Sequence, residues 1–120
     1  MTIEERAAEA AHDVVSVYRA AVGMPVEAAW ADLDPARKEF LAAKAALAPP
    51  CGSLAEYHGL TRALMLDAGW TWGAVDDIPA KVSPELAPWE EITDTTRALL
   101  TLAWSTARTV TRALVDAGLS

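Results

Sequence analysis

Seven prolines divide this chain, and their positions restrict what it can fold into. Proline lacks a backbone donor and disfavours helix in the preceding residue, so it belongs at helix starts or outside helices. Pro25 and the pair Pro49 and Pro50 each follow an apolar-periodic stretch, whereas Pro35 opens one. The prolines at 79, 84 and 88 fall in one segment and exclude a long helix across residues 67–89.

Four segments between these breaks have the apolar spacing of amphipathic helices. Favoured N-cap residues mark their starts, and two of them carry the Thr/Ser-x-x-Glu capping pattern. The predicted starts are Thr2, Asp34, Ser53 and Thr93 or Asp94, and the predicted ends are Gly23, the residues before Pro49, Gly69 and about Asp116. The sequence predicts one mostly α domain over residues 1–120. Its four helices are joined, between the third and the fourth, by a long ordered loop or a short hairpin.

Charge and composition exclude several classes of partner. The formal net charge is −7, which argues against nucleic acid and against an anionic membrane surface. No stretch is long and apolar enough to span a bilayer, and the start MTIEERAAEA lacks the basic region of a signal peptide. Cys51 is the single cysteine, so no internal disulfide can form. These features predict a cytoplasmic protein.

Catalytic and metal-binding motifs are absent from the sequence pattern. A pairing of Cys51 with His12 or His58 would require spatial proximity that spacing does not show. Two histidines and one cysteine do not make a structural zinc site, and there is no phosphate-cradling glycine loop. We therefore expect no enzyme, no metal and no cofactor. His12 falls on the polar flank of the first helix, where a hydrogen-bonded structural role is expected.

The segment from 67 to 89, DAGWTWGAVDDIPAKVSPELAPW, holds three of the five tryptophans and three of the seven prolines. Loops of this length are usually functional or disordered, and tryptophans argue against disorder. Trp70 and Trp72 either clamp the segment to the helices or, if extended, share one face. In the second case they form one side of an aromatic slot for a flat ligand. Trp30 and Trp104 are expected to pack.

An ordered set of residues resembles a known family. It runs through His12, Asp13, Tyr18, Gly23, Trp30, His58, Gly69, Trp70, Trp72, Gly73, Asp77, Lys81, Ser83, Pro84, Leu86, Trp89 and Ile92. The chain resembles the ryanodine receptor repeat domain, as found alone in bacterial and phage proteins, over roughly residues 7–113. In the receptor repeats a helix-three tryptophan is associated with adenine stacking, and here that position is Thr61. Trp89 and Tyr57 are the candidate substitutes.

The resemblance implies a non-enzymatic α-helical module that binds a small ligand. It further implies a sensor or sponge for a nucleotide-derived messenger in phage–bacterial conflict. The candidate ligand-binding residues are Trp70, Trp72, Lys81, Trp89, His58, Tyr57, Thr61, His12, Trp30, Arg62 and Arg97.

The ligand charge that the site can accept depends on where the basic side chains near the tryptophans point. A phosphate-rich ligand would need Lys81, Arg62, Arg97 or backbone N–H groups at helix starts. A nucleoside-like ligand of low charge fits better if those bases point away. The open alternative is a protein-interaction or homo-oligomeric module that uses the same aromatic surface.

Overall fold

Four α-helices make up most of the chain in this computed structural model, which describes residues 1–119. Helix α1 packs along α4 and against α2, whereas α3 contacts α4 and the short 3-10 helix Pro84–Leu86. The predicted mostly α class is confirmed. The bounds are α1 Ile3–Val22, α2 Pro35–Ala46, α3 Leu54–Asp67 and α4 Asp94–Asp116.

Local capping sets the helix bounds close to the predicted ones. At α1, Thr2 and Glu5 form both bonds of a capping box, and Gly23 ends the helix with a φ of 76°. At α3, the Ser53 hydroxyl accepts from the backbone N–H of Glu56. At α2, Asp34 is the N-cap residue as predicted, but its side chain accepts no capping hydrogen bond. Proline at the first helical position already has helical φ and needs no donor partner, so α2 begins there without one.

The segment between α3 and α4 forms a parallel strand pair instead of a hairpin. Strand β1 (Thr71–Trp72) pairs with β2 (Val82–Ser83) in parallel, with Thr71 opposite Val82. Residues 73–81 connect the two strands and fold back at one isolated antiparallel bridge, between Asp77 and Val82. As a result, β2 runs in the same direction as β1. Two 3-10 helices follow, Pro84–Leu86 and Trp89–Glu91, and each starts at or just after a proline.

Two residues hold this segment in shape at points of close approach. Lys81 has a φ of 56°, which is unfavourable for a residue with a Cβ. Its Nζ donates to the carbonyl of Ala68 at 2.8 Å, so the lysine caps the C-terminal end of α3. Gly73 lies so close to the side chain of Val82 that a Cβ there would collide with it.

Buried residues form two clusters. The larger lies between the helices and includes Ala7, Ala8, Trp30, Ala45, Ala48, Cys51, Tyr57, Ala87, Ile92, Leu100 and Ala107. The smaller joins the inserted segment to α2 and α3 through Met65, Trp70 and Leu86, with Phe40 packed against them. The rings of Trp70 and Phe40 are stacked, with centroids 6.1 Å apart. The tryptophan therefore clamps the insertion to the helices.

Candidate functional site

Ionisable side chains lie on the inward faces of α1 and α2. His12 and Arg19 are seven residues apart on α1 and are both buried. Arg37 and Lys44 have the same separation on α2 and line the same interior space. A seven-residue separation is close to two helical turns, so each pair shares one face of its helix. The result is a polar interior where an ordinary bundle would carry apolar residues.

This interior space is a small cavity, called here the chamber, of about 70 Å³. Alanines supply much of its apolar wall on α1 and α4, including Ala8, Ala11, Ala103 and Ala107. Small side chains leave space between two helices that larger residues would fill. The ionisable residues of the wall are His12, Arg19, Glu27, Arg37, Lys44, Tyr57 and Glu85.

Three ion pairs connect the chamber helices to loops. Arg19 Nη1 lies 2.7 Å from Asp76 Oδ2, and Lys44 Nζ lies 3.2 Å from Glu85 Oε1. Arg37 forms a bidentate ion pair with Glu27, in which Nη2 donates to Oε1 at 2.8 Å and Nε donates to Oε2 at 2.9 Å. All six side chains are mostly buried. Each helix cation thus pairs with a carboxylate from a segment that connects two helices, and the pairs hold those segments against the bundle.

The carboxylates of the chamber are held in their charged form. Burial alone would raise the pKa of Glu85, but the ammonium of Lys44 and the guanidinium of Arg19 outweigh it and lower the pKa below its ordinary value. Burial acts the same way on Glu27, and the hydrogen bonds and charge of Arg37 reverse it, so this pKa is also lowered. Both groups therefore act as fixed negative charges at neutral pH.

Tyr57 presents a protonated hydroxyl in the same place. The residue is 2% exposed. Burial raises the pKa of Tyr57 well above its ordinary value, and the nearby Glu85 carboxylate adds to the increase. A tyrosine held in this form can donate a hydrogen bond at any physiological pH.

A wider groove, called here the cleft, adjoins the chamber. It lies between residues 25–28 and residues 75–82 and has a volume of about 690 Å³. Its walls are largely apolar, and its acidic residues are Glu27, Asp76 and Asp77. Glu27 lines both spaces, and Asp76 on the cleft side holds Arg19 on the chamber side. Two ion pairs therefore form the partition between the cleft and the chamber.

Several predicted site residues meet at or behind the chamber. His12 and Tyr57 line it. Trp70 backs it, because the Arg37 guanidinium carbon lies 5.6 Å from the Trp70 ring centroid. Trp30 is a core residue whose ring packs 6.0 Å from that of His12.

The expected position of His12 on the polar flank of its helix is wrong. The residue is buried, and its Nε2 lies 2.8 Å from the carbonyl oxygen of Ala28. Because a carbonyl only accepts, this nitrogen donates, as expected of a structural histidine. His12 comes four residues after the buried Ala8, so both side chains lie on the buried face of α1.

A second group of predicted residues meets away from the chamber. His58 Nε2 donates to the carbonyl of Glu85 at 3.0 Å, and its ring lies 5.6 Å from that of Trp89. The Arg97 guanidinium carbon stacks 4.1 Å above the Trp89 ring, and the same group donates to the Trp89 carbonyl. These contacts fix the turn that leads into α4.

The remaining predicted residues are separate from one another. Arg62 Nε donates to the Leu86 carbonyl at 2.7 Å, and the buried Thr61 hydroxyl donates to the His58 carbonyl. Trp72 is 60% exposed, whereas Trp70 is 6% exposed. The two tryptophans therefore do not share a face, and they do not form one slot.

Sequence reasoning missed six residues of the site, namely Arg19, Glu27, Arg37, Lys44, Asp76 and Glu85. The sequence does carry a signal for those of the six that lie on helices. Arg19 and Lys44 occupy core-facing spacings within apolar stripes, where a charge needs a buried partner. No comparable signal marks the loop carboxylates, because loop residues have no fixed periodicity.

Comparison with models of known protein families, with curated proteins and with solved structures finds no match to this chain. Within residues 1–119, no cluster of three or more His, Cys, Asp or Glu side chains is placed to hold a metal ion. No helix in that range combines the length and apolar character needed to cross a bilayer. Cys51 is buried, and its Sγ donates to the carbonyl of Leu47.

Proposed function

We propose that this protein is a non-enzymatic module that binds a small ligand, with a polar group of the ligand in the chamber and its body in the cleft. The observation that carries the proposal is the chamber itself, an interior space walled by seven ionisable side chains. Buried ion pairs are weak evidence for a role in stability, because apolar residues of similar volume often serve as well or better. Convergent polar groups beside an apolar cleft are typical of ligand sites.

The size of the cleft supports a ligand of nucleoside dimensions. At about 690 Å³ it falls within the usual range of small-molecule pockets. Lys81, Arg62 and Arg97 each donate to a backbone carbonyl, so these bases are engaged in holding loops. A ligand with many phosphates therefore finds few partners outside the chamber, which favours a nucleotide-derived molecule of low charge.

The biological role follows from the resemblance to the ryanodine receptor repeat. We place the protein in the cytoplasm as a sensor or a sponge for a nucleotide-derived messenger in phage–bacterial conflict. Its formal charge of −7 supports a partner other than nucleic acid or an anionic membrane.

Thermal unfolding with a nucleotide panel tests the proposal. The panel contains mono-, di- and cyclic nucleotides and the cyclic ADP-ribose isomers. A ligand present at a hundred times its Kd adds about 2.7 kcal/mol of stability, which corresponds to a rise in Tm of roughly 10 °C for a chain of this size. No shift with any member, and no change in tryptophan fluorescence, would count against the function.

Two matched variants locate the binding. Val75 lines the cleft and is highly exposed, so Val75→Arg narrows the cleft without disturbing the core. Val17 on α1 is equally exposed and lies outside the cleft, which makes Val17→Arg the control. We expect the ligand-dependent rise in Tm to shrink in the first variant only. An equal loss in both would remove the cleft from the site.

A second candidate function, protein interaction or self-association, is favoured by exposed apolar side chains. Trp72, Val75 and Val26 are each at least half exposed, and the two valines line the cleft. Aromatic residues of this kind are typical anchors of interfaces. Light scattering of the wild type and of Trp72→Ala tests this alternative. A dimer that Trp72→Ala dissociates supports it, whereas a monomeric wild type argues against it.

A further inference from the structure

The three ion pairs leave the chamber without an excess of charge. Each of its cations, Arg19, Arg37 and Lys44, has a carboxylate oxygen within 3.2 Å. An ion that entered this buried space would find the charges of the wall already paired, so the loss of its hydration would not be compensated. The group that best fits the chamber is therefore uncharged.

Tyr57 supplies an unused hydrogen-bond donor. No atom within residues 1–119 hydrogen-bonds to its hydroxyl, whereas every side-chain nitrogen or oxygen that is sealed from solvent in that range has a partner. The Tyr57 oxygen is therefore not sealed, although the residue is only 2% exposed. Because Tyr57 lines the chamber, its hydroxyl is available to donate there.

His12 supplies an unused acceptor from another helix. Its Nε2 donates to the Ala28 carbonyl, so in the neutral ring Nδ1 carries no proton and accepts. No donor within the described range, residues 1–119, hydrogen-bonds to this Nδ1. The residue is buried and lines the chamber. The carboxylate oxygens of Glu27 and Glu85 add acceptor sites, because each accepts one hydrogen bond and can accept a second.

The volume of the chamber and the positions of these groups limit what it can hold. A space of about 70 Å³ accommodates a few water molecules or one small polar group, not a whole nucleoside. The free donor lies on α3 and the free acceptor on α1. A group that meets both therefore carries its own acceptor and its own donor on separate atoms. An amide does so without a charge, because its oxygen accepts and its N–H donates.

We infer that the chamber binds an uncharged amide group of the ligand, whose oxygen accepts from the Tyr57 hydroxyl and whose N–H donates to His12 Nδ1. A carboxamide and the lactam edge of a nucleobase share this chemistry. The inference rests on the proposed function and names the part of the ligand that enters the chamber. The body of the ligand lies in the cleft, and Glu27 lines both spaces.

Isothermal titration of the full chain with matched probes tests the class of ligand. Benzamide is compared with acetophenone, which has no N–H, with benzoate, which carries a charge, and with benzyl alcohol, which has one hydroxyl. Inosine, whose base has a lactam edge, is compared with purine riboside, which lacks that edge. We expect benzamide or inosine to bind at least about fivefold more tightly than its analogues, because each analogue leaves a buried polar group unpaired. The set that responds identifies the source of the amide.

Tyr57→Phe tests the donor, and Tyr18→Phe is its control. Tyr57→Phe breaks no hydrogen bond within residues 1–119, so it is expected to fold with a Tm no lower than that of the wild type. It should weaken the amide probe about fivefold, the contribution of one neutral hydrogen bond. Tyr18 donates to the Thr95 carbonyl and does not line the chamber, so its loss should leave affinity unchanged.

Nitrogen-15 NMR of the imidazole rings of the wild type tests the acceptor, and His58 is the internal control. Both histidines of the chain donate through Nε2 to a backbone carbonyl, so their Nδ1 atoms are alike in the neutral ring. An unprotonated ring nitrogen that begins to accept a hydrogen bond shifts upfield. We expect the amide probe to shift Nδ1 of His12 in this way. Nδ1 of His58, which does not line the chamber, should not move.

Several results would overturn the inference and leave the proposed function standing. They are equal binding of an amide probe and its analogues, amide binding that Tyr57→Phe does not weaken, and a His12 Nδ1 that is protonated or does not respond to a bound amide. Binding of a member of the nucleotide panel without binding of benzamide or inosine has the same consequence. If no probe and no member of the panel binds, the inference and the proposed function both fail.

Discussion

The ion pair between Lys44 and Glu85 allows a quantitative test of the buried charges. Lys44→Met removes the cation and preserves much of the volume of the side chain. Glu85 then lies buried beside the Ser83 hydroxyl with no cation in contact. We expect this change to lower the free energy of unfolding by about 3–5 kcal/mol, the usual cost of removing one partner from a buried ion pair and leaving the other charge unpaired.

The geometry supports a cost of this size. At 3.2 Å and an effective dielectric constant of 20, the attraction between Lys44 and Glu85 is roughly 5 kcal/mol before desolvation is counted. The two side chains are only 14% and 9% exposed, so the pair is not screened as a surface pair is. Protonation of the orphaned Glu85 limits the loss, which keeps it near the lower figure.

Urea unfolding at neutral pH, followed by tryptophan fluorescence, measures the effect. The double variant Lys44→Met with Glu85→Gln removes both charges and retains a polar group beside Ser83. It should recover at least half of the loss. Lys38→Met is the control in the same helix, because Lys38 has no carboxylate partner among residues 1–119; it should cost less than about 1 kcal/mol.

A double variant as unstable as the single variant would refute the reasoning, because the loss would then come from packing. A loss below about 1 kcal/mol in Lys44→Met would do the same, since surface pairs contribute that little.

The lowered carboxylate pKa values also make stability depend on pH. Glu27 and Glu85 have pKa values below their ordinary value of 4.5 in the folded state, so the unfolded chain binds protons first as pH falls. Their contribution is complete above that value and is lost as the pH falls through 4.5 toward the lower folded values. Melting curves at a series of acid pH values should show this decline. Lys44→Met should weaken it, and an unchanged profile would contradict the assignment.

Three further changes test the structure. Trp70→Ala should cost about 3–5 kcal/mol in urea unfolding and Trp72→Ala less than about 1 kcal/mol, because only the first is buried; equal losses would contradict this arrangement. Gly73→Ala places a methyl group against Val82 and should cost about 1–3 kcal/mol, measured the same way, and a neutral result would disprove the close approach. Cys51 should resist alkylation in the native protein and react in urea, as followed by mass spectrometry, because burial raises its pKa and hides its sulfur; rapid native labelling would contradict its burial.

The helices could be predicted from the sequence because the residues that start and end a helix act locally. Thr2, Gly23 and Ser53 act on backbone groups three or four residues away, and the structure places helix ends beside them. The segment after Gly69 was less readable. The sequence allowed a short hairpin in this segment, but the partner and direction of the strand at Trp72 depend on where the chain returns at Val82. No local pattern encodes that return.

The prediction that Trp70 and Trp72 form one aromatic slot was wrong, because it applied the alternation of a β-strand to a residue outside the strand. Residues two apart share a face only on an extended strand. Trp70 precedes β1, and its backbone N–H still donates to the carbonyl of Met65 in α3. Trp70 is therefore tied to the end of α3 and lies outside the strand, and it is buried whereas Trp72 is exposed.

The sequence by itself determined the mostly α class and the helix bounds, because helix formation depends on contacts within a few residues. Only the tertiary structure decided that the cations on α1 and α2 are buried, and which carboxylates they meet. Arg19 and Asp76 are 57 residues apart, and Lys44 and Glu85 are 41 apart. Such partners meet only when the helices pack and the loops fold back on them. The chamber exists because that packing encloses cations, carboxylates and the Tyr57 hydroxyl around a space left open by small alanines.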